Sequence, residues 1–181
     1  MEKNVRVSVD GVDYSYPCGT PYRTIAEDLQ ARYPHRVLLV NRDGKLCELY
    51  KRVDRDCSLK MVTAADKPGM QTYERSAVLL MLKAFYDVAG REQVERITVE
   101  YSISHALFVR AAGQFSLDQE LLDRVEARMR ELAAQALPIQ KHSVNTGDAV
   151  DFFQRAGMPD KARLLSYRIN SHVNLYTMDD F

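Results

Sequence analysis

The chain has 181 residues and a mass of 20.7 kDa, which is enough for one ordinary domain or two small ones. Its 25 Lys and Arg residues balance 25 Asp and Glu residues, and this argues against a protein that binds nucleic acid through a marked basic excess. No apolar run approaches the roughly 18 residues of a membrane span, and the immediate polar–apolar alternation at the N-terminus is not that of a signal peptide.

The first part of the chain is rich in strand patterns. Val5, Val7 and Val9 alternate with polar residues, and Asp10-Gly11 supplies a hairpin turn into a second strand. A helix follows, with Thr20 or Thr24 as its cap and an apolar stripe that ends near residue 33, before Pro34. Three further strands are predicted over residues 37–40, 46–49 and 59–62. The predicted order is therefore β-β-α-β-β-β.

A composition change suggests where this segment ends. The strand-like alternation stops at residues 64–69, and Pro68-Gly69 is predicted to break the chain. The predicted domains are residues 1–66 and residues 70–181.

The second segment mixes helix and strand patterns, so the predicted fold class is α+β. Helix signals cover about residues 72–88, and a hairpin is predicted over 97–101 and 106–110. Ser116 to Gln119 has the form of a capping box that opens the clearest helix. The apolar face of that helix is predicted to hold Leu117, Leu121, Leu122, Val125, Met129, Leu132 and Ala136. A strand over 139–144, a helix capped by Thr146, a helix starting at Pro159 and a strand near 173–176 complete the series.

A search for catalytic motifs finds no phosphate-binding loop of the GxxxxGK[ST] or GxGxxG type. The four histidines, His35, His105, His142 and His172, do not have zinc-ligand spacing. The three cysteines lack CxxC spacing, which favours reduced thiols in a cytoplasmic protein. No catalytic residue, metal site or cofactor is therefore expected in this chain.

Basic residues cluster in the first segment and leave two interpretations open. Arg32, Arg36, Arg42, Lys51, Arg52 and Arg55 would give it a local positive face. Asp43, Glu48, Asp54 and Asp56 interleave with them, so an ordinary solvated surface is favoured over contact with nucleic acid.

Longer stretches of the sequence resemble known families. VSVDGVDYSYPCGTPYRTIAEDLQ and VLLVNRDGKLCELYKRVDRDCSLKMVTAADKPG are similar to the TGS domain, a ubiquitin-like β-grasp module. LPIQKHSVNTGDAVDFFQRAGMPDKARLL and VNLYTMDDF resemble the domain that follows TGS in threonyl-tRNA synthetases, where editing takes place. The resemblance covers nearly all of the chain.

The sequence departs from the synthetases at the editing site. Two histidines of the family motif HSxxH, which form half of its metal site, correspond to Arg75 and Leu79, which cannot hold zinc. The family's other two ligands would follow Asp180-Phe181, so the second domain is expected to continue beyond the end of the chain. Lys161 corresponds to a lysine in the cleft of the synthetase domain. Arg75 and Lys161 are the candidate ligand-binding residues, for a small anion or a nucleotide. A carboxylate partner for Arg75 and a solvated Lys161 are the alternatives.

A second family carries the same two modules without the histidines: bacterial uridine kinase-like proteins, in which a P-loop kinase domain follows. The stretches YERSAVLLMLKAFYD and VNLYTMDDF resemble the sequences of this second family more closely than those of the synthetases. This resemblance implies a non-catalytic regulatory or ligand-binding region whose partner is its own kinase domain, with ATP and Mg²⁺ serving that domain. The alternative is the N-terminal region of a threonyl-tRNA synthetase that contributes tRNA binding or editing, and RNA is then the partner.

Overall fold

In a computed structural model, residues 3–104 and 106–181 are described. Helices and strands both occur in each half of the chain, so the mixed α and β composition expected from the sequence is confirmed. The chain divides into two compact units, one reaching to Ala77 and the other starting at Val78. No helix in the described ranges is long and apolar enough to cross a membrane.

The first unit contains one five-stranded sheet. Its strands are β1 (Asn4–Val9), β2 (Val12–Pro17), β3 (Val37–Arg42), β4 (Lys45–Glu48) and β5 (Cys57–Thr63). They lie in the order β2-β1-β5-β3-β4, and only β1 and β5 pair in parallel among neighbouring strands. Asp10 and Gly11 both have positive φ, as a tight hairpin of the primed type requires. All five strands fall where the alternation places them.

Helix α1 (Tyr22–Leu29) packs its apolar stripe on this sheet. Ile25 and Leu29 join the valines of β1 in one buried core. The prediction of a threonine cap is wrong, because Pro21 is the N-cap residue and makes no side-chain cap bond. The hydroxyl of Thr20 instead donates to the carbonyl of Pro17, at 2.7 Å.

Helix α2 (Lys67–Ala89) starts about five residues earlier than predicted. Pro68 and Gly69 do not break the chain but form the first turn of the helix, where a proline costs no hydrogen bond. Gly69 lies so close to β5 that a Cβ built on it would be 1.9 Å from the carbonyl oxygen of Thr63. The pair therefore marks a close approach of helix and strand rather than a linker.

The second unit builds one core from the C-terminal half of α2, a hairpin and a third helix. The hairpin strands are β6 (Val94–Ile103) and β7 (Ala106–Gly113), and the helix is α3 (Gln119–Gln135). Ala84 and Phe85 of α2 pack against Val125 and Leu132 of α3.

Two predictions for α3 are wrong in detail. The capping box does not form, because Asp118 is the N-cap residue and accepts a hydrogen bond from the amide of Leu121, at 2.9 Å. Leu117 and Leu122 are 56% and 45% exposed, so they do not belong to the buried face. Leu117 lies before the helix, and Leu122 is rotated by about 100° from the buried Leu121.

The last part of the chain is a two-stranded sheet with two short helices. Its elements are β8 (Ile139–Asn145), α4 (Thr146–Arg155), α5 (Pro159–Ser166) and β9 (His172–Met178). Pro159 begins α5 as predicted. The predicted Thr146 cap is wrong: Asn145 is the N-cap residue, and its side chain accepts from the amide of Gly147 at 2.8 Å.

Candidate functional site

Arg75 and Leu79 are one turn apart on α2, and Lys83 is one turn further, so the three lie along one side of the helix. Arg75 is exposed and has no ion-pair or hydrogen-bond partner among residues 3–104 and 106–181. The described residues therefore provide no carboxylate partner for Arg75, which was the alternative interpretation.

Lys83 is only 3% exposed, yet it is the centre of a network of charged side chains. Its Nζ lies 2.6 Å from Asp180 Oδ1 and 3.4 Å from Asp87 Oδ1. Burial acts to lower the pKa of Lys83, but the hydrogen bond and charge of Asp180 and the charge of Asp87 outweigh it and raise that pKa. The buried side chain is therefore a paired ammonium.

Arg128 extends this network from α3. Its Nε and Nη2 donate to the second oxygen of Asp87, at 3.0 and 2.9 Å, in a forked geometry. One carboxylate on α2 thus connects the buried lysine with the neighbouring helix.

The segment after β9 is held against α2 by aromatic contacts as well. The ring of Phe181 lies 5.6 Å from that of Tyr86, and the guanidinium of Arg91 lies 5.8 Å from the same ring. Asp180-Phe181 therefore reaches α2 beside Lys83.

Metal ligands are not gathered elsewhere in the described ranges. Within residues 3–104 and 106–181 there is no group of three or more His, Cys, Asp or Glu side chains arranged to hold a metal ion. The ring of His142 bonds the hydroxyl of Thr177, and His172 bonds Ser171, both at 3.0 Å. His105 lies outside the described residues.

Lys161 lies on α5 with its ammonium 5.3 Å from the centre of the Phe153 ring. Partial burial of the ammonium lowers the pKa of Lys161 from its usual 10.5, and no carboxylate within the described ranges offsets that effect. Arg75 belongs to the first unit and Lys161 to the second. A common cleft for both residues therefore stays a prediction.

A second group of basic residues lies in the first unit, where backbone hydrogen bonds hold residues 19–23 alongside residues 49–53. The amides of Tyr22 and Arg23 donate to the carbonyls of Lys51 and Leu49, each at 2.8 Å. The amide of Val53 donates to Thr20, at 2.9 Å. These bonds place four residues on adjacent backbone segments, and we name them the loop patch: Arg23, Tyr50, Lys51 and Arg52.

Three acidic residues near the loop patch are already engaged, and one of them neutralises Lys51 of the patch itself. Glu48 pairs with Lys51 at 2.8 Å, and this bond is the main cause of the raised pKa of Lys51. Asp54 pairs with Arg42, and Asp56 accepts from the backbone amide of Arg6 at 2.8 Å. Burial acts to lower the pKa of Arg42, but its bonds to Asp54 and to the hydroxyl of Tyr22 raise that pKa overall. Arg42 is therefore part of the fold and not of the exposed cationic surface.

Two shallow depressions of about 430 and 440 Å³ flank Arg6 on the outer face of the sheet. Both are lined by Asp13 and Asp56 as well as Arg6, and Arg6 lies 3.9 Å from Asp13. The arginine is thus balanced by two carboxylates, and these depressions offer an anion no spare charge.

Comparison with known proteins points to one class of enzyme. The chain is 28% identical to a threonine–tRNA ligase of Rhodospirillum rubrum over 173 residues, which are 95% of the chain and 26% of that protein. It is 26% identical to the corresponding ligase of Nitrosomonas europaea, over 95% of the chain and 27% of that protein. A threonine–tRNA ligase of Methylococcus capsulatus is 29% identical over 140 residues, which are 77% of the chain and 22% of that protein.

The chain spans about a quarter of the length of the curated relatives it matches. No family model matches the chain. A solved chain from the complex of ATBAG1 with HSP70 aligns over 48% of this chain with 10% identity and a TM-score of 0.31, which is too low to inform the fold.

These similarities correct the main functional prediction. The uridine kinase-like parent is wrong, because the relatives that align along most of the chain are threonine–tRNA ligases, as the alternative predicted. A downstream nucleoside kinase domain as the partner is unsupported for the same reason. ATP and Mg²⁺ were expected only for that kinase domain.

Proposed function

We propose that this chain is a tRNA-contacting region related to the N-terminal part of threonyl-tRNA synthetases. The observation that carries the proposal is the similarity to threonine–tRNA ligases along 95% of the chain. Residues 1–66 would be a TGS-like β-grasp module, and residues 70–181 would correspond to the domain that follows it. The sheet order β2-β1-β5-β3-β4, with α1 packed on one face, supports the first assignment.

Within this class we propose binding rather than editing. Arg75 and Leu79 replace both histidines that the resemblance places on α2, and neither side chain coordinates a metal. Lys83 and Asp180 form an ion pair beside them, at 2.6 Å. A paired lysine in this position supports an anchoring role for the Asp180-Phe181 segment.

The number of cations that can meet phosphates sets the expected strength of binding. RNA affinity depends on the cations that meet phosphates and not on the total charge of the chain. With few such cations, we expect affinity in the micromolar range that falls steeply as salt rises.

The test is fluorescence anisotropy of a labelled threonine tRNA transcript titrated with the full 181-residue chain at several salt concentrations. We expect saturable binding at about 50 mM salt and a linear fall of log K with log salt. Absence of binding up to about 100 μM protein would overturn the proposal. In a parallel assay, hydrolysis of a mischarged tRNA above background would show that editing is retained and would contradict the binding-only role.

A further inference from the structure

The geometry points to the loop patch as the RNA-contacting surface of the first unit, with Arg23 and Arg52 on phosphates and Tyr50 against an unpaired base. This inference rests on the proposed function and names the surface that would carry it out. Its partner is a single-stranded stretch of RNA, such as a loop or a free end, because only unstacked bases are open to an aromatic side chain.

The loop patch is held on fixed elements. Arg23 lies in the first turn of α1, and residues 49–52 follow directly after β4. An isolated bridge between Pro21 and Arg52 adds to the backbone bonds that join the two segments. The spacing of the side chains is therefore set by the fold, so little ordering is needed when RNA binds.

The charges of Arg23 and Arg52 are available to a ligand. The side chain of Arg23 is exposed and has no hydrogen-bond or ion-pair partner among residues 3–104 and 106–181. Arg52 donates one bond, from Nη1 to the carbonyl oxygen of Gly19 at 2.8 Å. A carbonyl orients the guanidinium without cancelling its charge, and the remaining N–H donors stay free for a phosphate.

The start of α1 favours an anion near Arg23 but is not itself the binding group. Its first turn contains no acidic residue, so the positive end of the helix dipole is not offset there. The amides of Tyr22 and Arg23 are already bonded to carbonyls of residues 51 and 49. The contact with phosphate must therefore come from side chains.

Tyr50 adds an exposed aromatic ring to the loop patch, which a site for a simple anion would not need. It is 49% exposed, it directly precedes Lys51 and Arg52 in the chain, and the carbonyl of Leu49 before it accepts from the amide of Arg23. An exposed aromatic ring on a basic surface is the combination with which proteins bind unpaired nucleotides.

The experiment compares the wild type with the double variant Arg23→Gln/Arg52→Gln in the anisotropy assay. We expect affinity for the tRNA to fall about tenfold or more, and the salt slope to fall by about two, one for each phosphate contact. Tyr50→Leu should weaken binding about fivefold or more, whereas Tyr50→Phe keeps the ring and should bind like the wild type. Far-UV circular dichroism and melting temperature check that each variant folds.

The matched control is Arg36→Gln/Arg163→Gln, which removes the same charge from two exposed arginines outside the loop patch. An equal loss of affinity in the control would overturn the inference, since the effect would then be one of overall charge. The single variant Arg23→Gln loses no bond of the fold, so it tests the inference even if the double variant is unstable.

The outcomes separate this inference from the proposed function. If the wild type binds tRNA and the variant Arg23→Gln/Arg52→Gln binds it with the same affinity and the same salt slope, the inference about the loop patch is overturned and the proposed function stands. No binding by the wild type would overturn both.

Discussion

Replacing Gly69 by alanine should destabilise the protein, although the same change inside an ordinary helix is stabilising. Gly69 is in the first turn of α2, where a Cβ would lie 1.9 Å from the oxygen and 2.8 Å from the carbon of Thr63. Real Cβ atoms essentially never come closer than 3.0 Å to such atoms. The first turn of α2 or the end of β5 would therefore have to move by about an ångström.

The expected magnitude follows from two opposing effects. Alanine gains about 1 kcal/mol over glycine through helix propensity. Forcing a methyl group into a packed contact costs about 1–3 kcal/mol, and the upper part of that range, about 2–3 kcal/mol, applies here because the neighbour is backbone and cannot swing aside as a flexible side chain would. We expect a net loss of about 1–2 kcal/mol in the free energy of unfolding. For a chain of this size, that loss lowers the melting temperature by about 2–8 °C.

The assay is thermal and urea unfolding followed by far-UV circular dichroism. Gln71→Gly is the matched control, because Gln71 is exposed on the same helix and its replacement should cost about 1 kcal/mol through propensity alone. A Gly69→Ala variant that is more stable than the wild type by about 1 kcal/mol would refute the close approach of α2 and β5.

Three further predictions test the turn before α2, the start of α3 and the state of the candidate lysine. Asp118→Ala should cost about 1 kcal/mol in unfolding free energy, because it removes the N-cap bond of α3, whereas Ser116→Ala should change little; equal losses in urea unfolding would contradict the cap. Hydrogen bonds from the amide and hydroxyl of Thr63 hold the pKa of Asp66 below 3.8, so their stabilisation is present above that pH and is lost as the pH falls further. Asp66→Ala should therefore be less stable at pH 7 and lose less stability than the wild type between about pH 4 and pH 2; parallel acid unfolding curves would contradict this. Because partial burial lowers the pKa of Lys161, the midpoint of the pH dependence of its acetylation rate, followed by mass spectrometry, should lie below the usual 10.5. A midpoint at or above that value would contradict the desolvation of its ammonium.

Alternation and turn residues predicted the strands of the first unit well. Val5, Val7 and Val9 are buried, and Asp10 and Gly11 adopt the positive φ angles that the hairpin turn demands. These features depend on neighbours within a few residues, which is why the pattern alone reveals them.

Helix starts were predicted less well, because a cap depends on which amide lies within reach. Ser116, Thr20 and Thr146 all have suitable side chains, yet Asp118, Pro21 and Asn145 are the N-cap residues. Several candidates stand within two residues of each helix start, and only the direction in which the chain enters the helix selects among them.

The candidate sites show a similar division. Sequence reasoning found Lys51 and Arg52 as basic residues but not their association with Arg23 and Tyr50, since the backbone pairing of residues 19–23 with 49–53 joins segments about thirty residues apart. It likewise gave no sign that Lys83 is a buried, paired ammonium, because its partner Asp180 is 97 residues away.

The amino-acid sequence by itself determined the mixed α and β composition and the order of the strands and helices along the chain. Those properties follow from residue type and short-range spacing. Only the tertiary structure decided which charges are neutralised and which stay available, because ion pairing depends on distances between segments that are remote in the chain. It also explains Gly69, whose lack of a side chain matters only where α2 meets Thr63.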